Sequence, residues 1–352
     1  MFRSVNGYII NCNRTNLMET VYFLGIDVSK KKLDSALTID GKNYQQDEIE
    51  NTANAIRVFF QNMKKMFGMK SSQMIVCMEH TGIYCLPLLD FLTKNKIKTC
   101  LESAAQIKKS QGIARGKSDR IDALRIAHYA YKNREELHYW APQRGVVQQL
   151  KALLVTRDRL VKIRTQLEVP IRECEEFVVE SIRKDMMKNC RRTLKAVGLD
   201  ILGIEQAINE LIGSDPGLAE QVKIATSIPG IGTITATNMI IATGEFTRIS
   251  VSKKFACYTG VAPFPYKSGT TIRGKTRVSN LANMNLKKLL HLAAMSAIQC
   301  SEELGTFYKR KVQEGKNKMS VINAVRNKLI SRVFVCIKDK RMYQKIYRRE
   351  LA

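Results

Sequence analysis

Four carboxylates in the first third of the chain stand where they could share a divalent cation. Asp27 lies near the polar tip of the apolar run VYFLGIDVS (21–29), and Glu79 closes a second such run, SQMIVCME (72–79). Short apolar runs with polar ends read as buried strands, and neighbouring strand ends lie close together in an open sheet. Asp119 and Asp122 are three residues apart in KSDRIDALRIA (117–127), a spacing that puts both on one face at a helix start. Four acids gathered at one sheet edge repel each other unless cations bind among them. Hard oxygen donors in that pattern suit Mg2+ or Mn2+. Two such ions about 3.5–4 Å apart can activate a nucleophile and stabilise a leaving oxygen in phosphodiester chemistry. Taken singly, each acid reads better as a solvated surface group. The metal reading rests on all four falling at element ends, with Lys117 and Arg120 beside Asp119 as cations for a phosphate backbone. Asp34 and Asp47 are spare candidates whose strand positions suit catalysis less well. His80, next to Glu79, reads as a structural group.

The elements that must position these acids follow from the same patterns. KKLDSALTI (31–39) and KNYQQDEIE (42–50) flank Asp40-Gly41, a hairpin-turn signal, so three antiparallel strands are expected at the start. Asn51-Thr52 offers a cap for a helix to about Phe67. Then come the strand 72–79, a helix from Gly82 to Lys94, the strand IKTCLE (97–102), and a helix capped by Ser118 or Asp119. Its apolar face is expected to include Ile121, Leu124 and Ala127–His128. The order β-β-β-α-β-α-β-α is that of a ribonuclease H fold, whereas periodicity alone supports only an α/β domain. Trp140-Ala141-Pro142 marks a boundary.

Beyond it the pattern becomes helical. Val146, Leu150, Leu153, Leu160 and Leu167 fall on a heptad rail broken at Arg157 and Arg164, and Pro170 interrupts it. Residues 145–215 read as a coiled-coil-like arm, or else as a helical bundle within one domain. SIPGIGTITATNMIIATG (227–244) has the helix-hairpin-helix pattern, in which Gly230 and Gly232 would let backbone N–H groups approach a phosphate. FACYTGVAPFPYKSGTTIRGKTRVSN (255–280) reads as a Gly- and Pro-punctuated loop carrying Ser268, Arg273, Lys275 and Arg277. An amphipathic helix, NMNLKKLLHLAAMSAI (283–298), follows.

Composition agrees with a nucleic-acid partner. Among 352 residues, 58 Lys and Arg face 32 Asp and Glu, a formal net charge of +26. An excess of that size calls for a polyanion. A basic surface without a dedicated partner is the weaker alternative. Membrane binding is weaker still, since the cations are spread along the chain and no apolar run approaches the roughly 18 residues of a span. Nine cysteines without a Cys-x-x-Cys pair and only four histidines argue against a disulfide framework or a zinc site, and for a reducing cytosol. Residues 1–18 lack a signal peptide's pattern and read as a poorly ordered extension, with Met18 an alternative start.

Taken in order, GIDVSKKKLD (25–34), EHTGIY (79–84), KSDRIDALRIA (117–127), PGIG (229–232) and SG (268–269) resemble the DEDD transposases of bacterial insertion sequences, a family that includes the Piv-type DNA invertases. The resemblance spans roughly residues 20–300. It implies a RuvC-like, ribonuclease-H-fold catalytic domain (19–143), a coiled-coil helical arm (144–223) and a C-terminal transposase domain (224–352). It maps the family's acidic tetrad onto Asp27, Glu79, Asp119 and Asp122, with Mg2+ or Mn2+ as cofactor, and the family's C-terminal serine onto Ser268. That serine is expected to attack the phosphodiester and form a covalent DNA link. Arg273, Lys275 and Arg277 would hold the scissile phosphate. The family's segment after SG carries a serine-lysine pair where this chain has Val278-Ser279-Asn280, so Ser279 is a second nucleophile candidate. Donor and target DNA are the expected partners, in a bacterial, nucleoid-associated setting. A structured guide RNA is a further partner in some relatives, and a homodimer or homotetramer is favoured. Two other functions stay open: a structure-selective endonuclease using water as nucleophile, and a non-catalytic nucleic-acid-binding protein.

Overall fold

The computed structural model describes residues 21–110, 118–173, 177–268, 272–278 and 282–345. The expected N-terminal extension, Lys117 and Ser279 lie outside them. The chain divides into two compact units, residues 1–142 and 143–352.

In the first unit the strands are β1 (Tyr22–Val28), β2 (Lys32–Thr38), β3 (Gln45–Glu50), β4 (Met74–Glu79) and β5 (Lys98–Glu102). They lie in the order β3-β2-β1-β4-β5. β1, β2 and β3 pair antiparallel, while β4 runs parallel to both β1 and β5. Four helices complete the unit: α1 (Ala53–Phe67), α2 (Leu86–Lys94), α3 (Ala104–Lys109) and α4 (Asp119–Lys132). The element order matches expectation, apart from the short α3 and a 3-10 turn over Gly82–Cys85 that opens the α2 region. This mixed sheet fits a ribonuclease-H-like domain.

β1 and β4 read as near-continuous apolar runs because both of their faces are buried. One face sends Tyr22, Leu24, Ile26, Met74, Val76 and Met78 against Ile56, Phe60, Leu88 and Leu92 of α1 and α2. The other sends Phe23, Ile75 and Cys77 against Ile126, Tyr129 and Ala130 of α4. Each large apolar side chain buried this way contributes about 1.5–3 kcal/mol. The expected apolar face of α4 holds at Ala127 and, half-buried, at Leu124, and is corrected at Ile121 and His128. Ala123, Ile126, Ala127, Tyr129 and Ala130 are buried, while Ile121 and His128 are exposed. Close approach decides the rotation. A Cβ on Gly25 of β1 would sit 2.2 Å from the Ala127 nitrogen and 2.4 Å from the Ala123 oxygen. Only small residues fit that contact, so the alanines of α4 face the sheet and the larger Ile121 turns outward.

The second unit opens with two long helices, α5 (Gly145–Glu173) and α6 (Glu180–Gly213). They pack antiparallel. Val147, Leu150 and Leu154 near the start of α5 meet Ile208 and Ile212 near the end of α6, and Arg157 pairs with Glu205 at 2.6 Å. The buried stripe follows Val147–Leu150–Leu154, so Leu153, on the expected rail, is only partly buried. Pro170 does not interrupt the helix; it lies inside α5. Next come α7 (Pro216–Thr226), α8 (Thr233–Thr243) and α9 (Ser252–Tyr258), then β6 (Pro263–Ser268) and β7 (Ile272–Val278), then α10 (Met284–Cys300), α11 (Glu302–Gln313) and α12 (Lys318–Lys338). Phe255, Leu290, Ala294, Val325 and Leu329 are among the residues at the core of these C-terminal helices. The segment 255–280, read from its glycines and prolines as a loop, instead contains the end of α9 and an antiparallel hairpin. No helix among the described residues is long and apolar enough to cross a membrane.

Candidate active site

Period-two alternation decides which acids share a face. Asp27 pairs with Asp34 across β1 and β2, and Asp34 pairs with Glu48 across β2 and β3. Gly25, two residues before Asp27, carries the α4 contact, so Asp27, Asp34, Glu48 and the first residue of β2, Lys32, all lie on the α4 face. Glu79 lies there too, since it alternates with Ile75 and Cys77, which pack beneath α4. Asp47 pairs with Ser35, and Ser35 with Ile26, a residue of the α1–α2 core. It therefore sits on the opposite face, away from the other acids.

α4 supplies the remaining two. Ser118 caps it, its hydroxyl accepting the Ile121 N–H at 3.3 Å. Asp119 and Asp122 occupy the first turn, where the exposed N–H groups and the helix dipole favour negative charge. The seat of Ala123 and Ala127 on Gly25 brings this turn toward the sheet end that carries Asp27.

Electrostatics register the convergence. The Asp27 carboxyl is pushed up to about 6, first by burial and then by Asp119, Asp122, Glu79 and Asp34. Glu79 is also raised, by burial and then by Asp122. Two basic side chains answer part of this charge. Arg125 pairs with Asp122 at 2.9 Å, while the Lys32 ammonium bridges Asp34, Glu48 and Asp119 at 3.1, 3.1 and 3.3 Å. With the side chains so drawn aside, no three acid, histidine or cysteine groups among the described residues meet tightly enough to hold one ion. The donor set nevertheless suits a divalent cation. It is all oxygen, burial and then mutual repulsion raise its proton affinity at Asp27 and Glu79, and beside it Asp34 Oδ1 is buried without a hydrogen-bond partner.

Several residues of this region went unnoticed in the sequence. Glu102 ends β5 in register with Glu79, and the acid closing IKTCLE was the available signal. It is 9% exposed, raised by burial and lowered in part by His138 and a hydrogen bond from Tyr129. It adjoins a shallow cavity of about 330 Å3 lined by Gln106, Tyr129 and His138, not the four acids. Lys32 and Glu48 carried no chemical signal of their own. His80 is exposed and accepts the Gly82 N–H, which agrees with a structural role.

In the second unit, Ser268 ends β6 opposite Ile272. Arg273, Lys275 and Arg277 follow on β7, with Arg273 opposite Lys267 and Arg277 opposite Phe264. Pro-Gly-Ile-Gly joins α7 to α8, but its glycines differ. Gly230 has φ +87°, and a Cβ there would lie 2.4 Å from the Ala293 oxygen of α10, so packing alone requires glycine. Gly232 caps α8 and has open space around it.

A ribonuclease-H-like sheet with acids on one face, in a chain of strong positive charge, defines a nucleic-acid-processing class. The comparisons specify it further. Residues 24–174 match a DEDD-type transposase family and residues 222–309 match the Transposase IS116/IS110/IS902 family. The chain belongs to this family of insertion-sequence transposases, and is thus a DNA transposase or recombinase. The pilin gene-inverting proteins of Moraxella bovis and Moraxella lacunata are each 25% identical over 331 residues, covering 92% of this chain and 98% of theirs. A transposase for insertion sequence element IS1111A from Coxiella burnetii is 26% identical over 197 residues, 49% of this chain and 53% of its own. Membership of a DEDD family carries divalent-metal dependence as its general expectation.

Proposed function

We propose that this chain cuts and rejoins the DNA strands of its own insertion sequence, with Asp27, Glu79, Asp119 and Asp122 as ligands for Mg2+ or Mn2+ and Ser268 as the nucleophile. The observation that carries this reading is the gathering of Asp27 and Glu79 on the sheet with Asp119 and Asp122 on the first turn of α4, where burial first and then the neighbouring acids push Asp27 up to about 6. A bound divalent ion would supply Lewis-acid activation of the phosphodiester and lower the barrier for a hydroxyl nucleophile. The Ser268 oxygen attacks phosphorus, its bond to phosphorus forms as the bond to one strand oxygen breaks, and that strand leaves as a free hydroxyl. Rejoining is the reverse attack by a strand hydroxyl, which restores the serine. Arg273, Lys275 and Arg277 of β7 would supply positive charge for the scissile phosphate. Lys117, Arg120 and the open turn at Gly232 would hold backbone phosphates elsewhere on the DNA, with α7–α8 serving as the helix-hairpin-helix element.

The α5–α6 arm supports assembly as a homodimer or homotetramer. Leu199 and Leu202 of α6 are each more than half exposed, so a coiled-coil-like pairing has apolar surface to bury. A structured guide RNA is compatible with the +26 charge. Domain boundaries at 143/144 and 223/224 complete the reading. The test is strand cleavage with Mg2+ on DNA bearing the element's junction, with its flanking RNA, resolved on a denaturing gel. A protein–DNA adduct abolished by Ser268→Ala is expected. A second reading, hydrolysis by water, is favoured by one fact: Ser268 and the four acids belong to different compact units. Free nicked ends that persist in Ser268→Ala but vanish in Asp27→Ala would establish it.

A further inference from the structure

The Lys32 side chain bonds three acids at the α4 face. Its ammonium has three N–H donors, and the structure gives it three carboxylate partners: Asp34 Oδ2 at 3.1 Å, Glu48 Oε2 at 3.1 Å and Asp119 Oδ2 at 3.3 Å. These partners are unequal. Asp34 is 2% exposed, faces Asp27 across the strand pair and has a buried Oδ1 with no hydrogen bond. A buried carboxylate opposite a like charge is costly to leave uncompensated, so Asp34 fixes the ammonium in place. Asp119 is 54% exposed and sits on the first turn of α4, free to turn to another cation at small cost.

We propose that Lys32 is a built-in competitor of the divalent cation: its ammonium draws Asp119 toward Asp34 and Glu48, and has to release it before the four acids close on one ion. The inference rests on the metal-site reading above and adds a residue that sets the site's affinity. A divalent ion among Asp27, Glu79, Asp119 and Asp122 offers Asp119 twice the charge that Lys32 does. The ion also meets repulsion from an ammonium already one salt-bridge length away from one of its ligands. Arg125, paired with Asp122 at i,i+3 on the same helix turn, is a second cation facing the site. A Lys32 that only braced the fold would, on removal, leave ion binding unchanged or loosen it. A competitor, on removal, tightens it. The sign separates the two roles.

The experiment is calorimetric titration of the full-length chain with Mn2+, in wild type, Lys32→Met and Lys32→Arg, with folding checked by circular dichroism. Lys32→Met should bind Mn2+ about five- to tenfold more tightly, and Lys32→Arg, which keeps the charge, within about twofold of wild type. Lys32→Gln, which keeps an N–H for Asp34 without the charge, should shift in the same direction as Lys32→Met and serves if that variant does not fold. Equal or weaker Mn2+ binding by the folded neutral variants overturns the inference while leaving the metal site standing. No Mn2+ binding by the wild-type chain overturns the metal-site reading, and the inference with it.

Discussion

The two units place reactive groups by different means. In the first, acids from β1, β4 and the start of α4 converge, and a five-stranded sheet fixes which of them share a face. In the second, Ser268 stands at the end of one strand of a two-stranded hairpin, in register with Ile272. A central sheet strand is held on both sides and by a helix above. A hairpin alone is held by one neighbour and is marginal by itself. Under the proposed function, the first unit would hold the metal ligands on a braced sheet and the second would carry the nucleophile.

The sharpest way to break this comparison is kinetic. Asp27→Asn should lower strand cleavage on the order of a thousandfold, about 4 kcal/mol in barrier, and also weaken Mn2+ binding in calorimetry. Ser268→Ala should stop adduct formation on a gel with Mn2+ affinity unchanged. If both substitutions weaken Mn2+ binding, the two sites are not separable in the way drawn here.

Next in size come the two close-packed glycines. Gly25→Ala drives a methyl into the α4 backbone, and Gly230→Ala drives one into α10 from a positive-φ position. Each should cost about 2–4 kcal/mol, read by chemical denaturation. Gly25→Ala should also weaken Mn2+ binding, because α4 carries Asp119 and Asp122, whereas Gly230→Ala should not.

A smaller effect concerns pH. Asp27 binds its proton more tightly folded than unfolded, with a folded value of about 6 against 3.8. Its contribution to stability is therefore present at low pH and lost as pH rises through 6. Without added divalent ion, Asp27→Asn should raise Tm at pH 7.5 by roughly 2–4 °C, as for about 1 kcal/mol in a chain of this size. The gain should shrink toward pH 5 in thermal scans, and an equal gain at both values would remove the account of Asp27 as raised by burial and its neighbouring acids. Smallest is Arg157→Met, which loses the pair with Glu205 between α5 and α6 but keeps an apolar stem. A loss of about 0.2–1 kcal/mol is expected in urea titration.

Much of the first unit was legible in the sequence. Apolar runs ending in Asp27 and Glu79, the Asp40-Gly41 turn and the Ser118 cap each carry local signals that the structure realises. The β6–β7 hairpin was not legible, because Gly and Pro mark loops and hairpins alike. The buried face of α4 was misjudged for a different reason. Helical periodicity allows several rotations, and the choice among them was made by Gly25, roughly 100 residues away in the chain.

By itself the sequence determined the element types, their order, the acids at element ends and the charge that requires a polyanion, since each depends on residues close in the chain or on composition. Only the tertiary structure decided that Asp47 faces away from Asp27, that Asp34 is buried beside it, and that Lys32 lies between Asp34, Glu48 and Asp119. Strand register and helix seating set those relations. Both are fixed by contacts between residues far apart in sequence, where a shift of one residue turns a side chain to the opposite face.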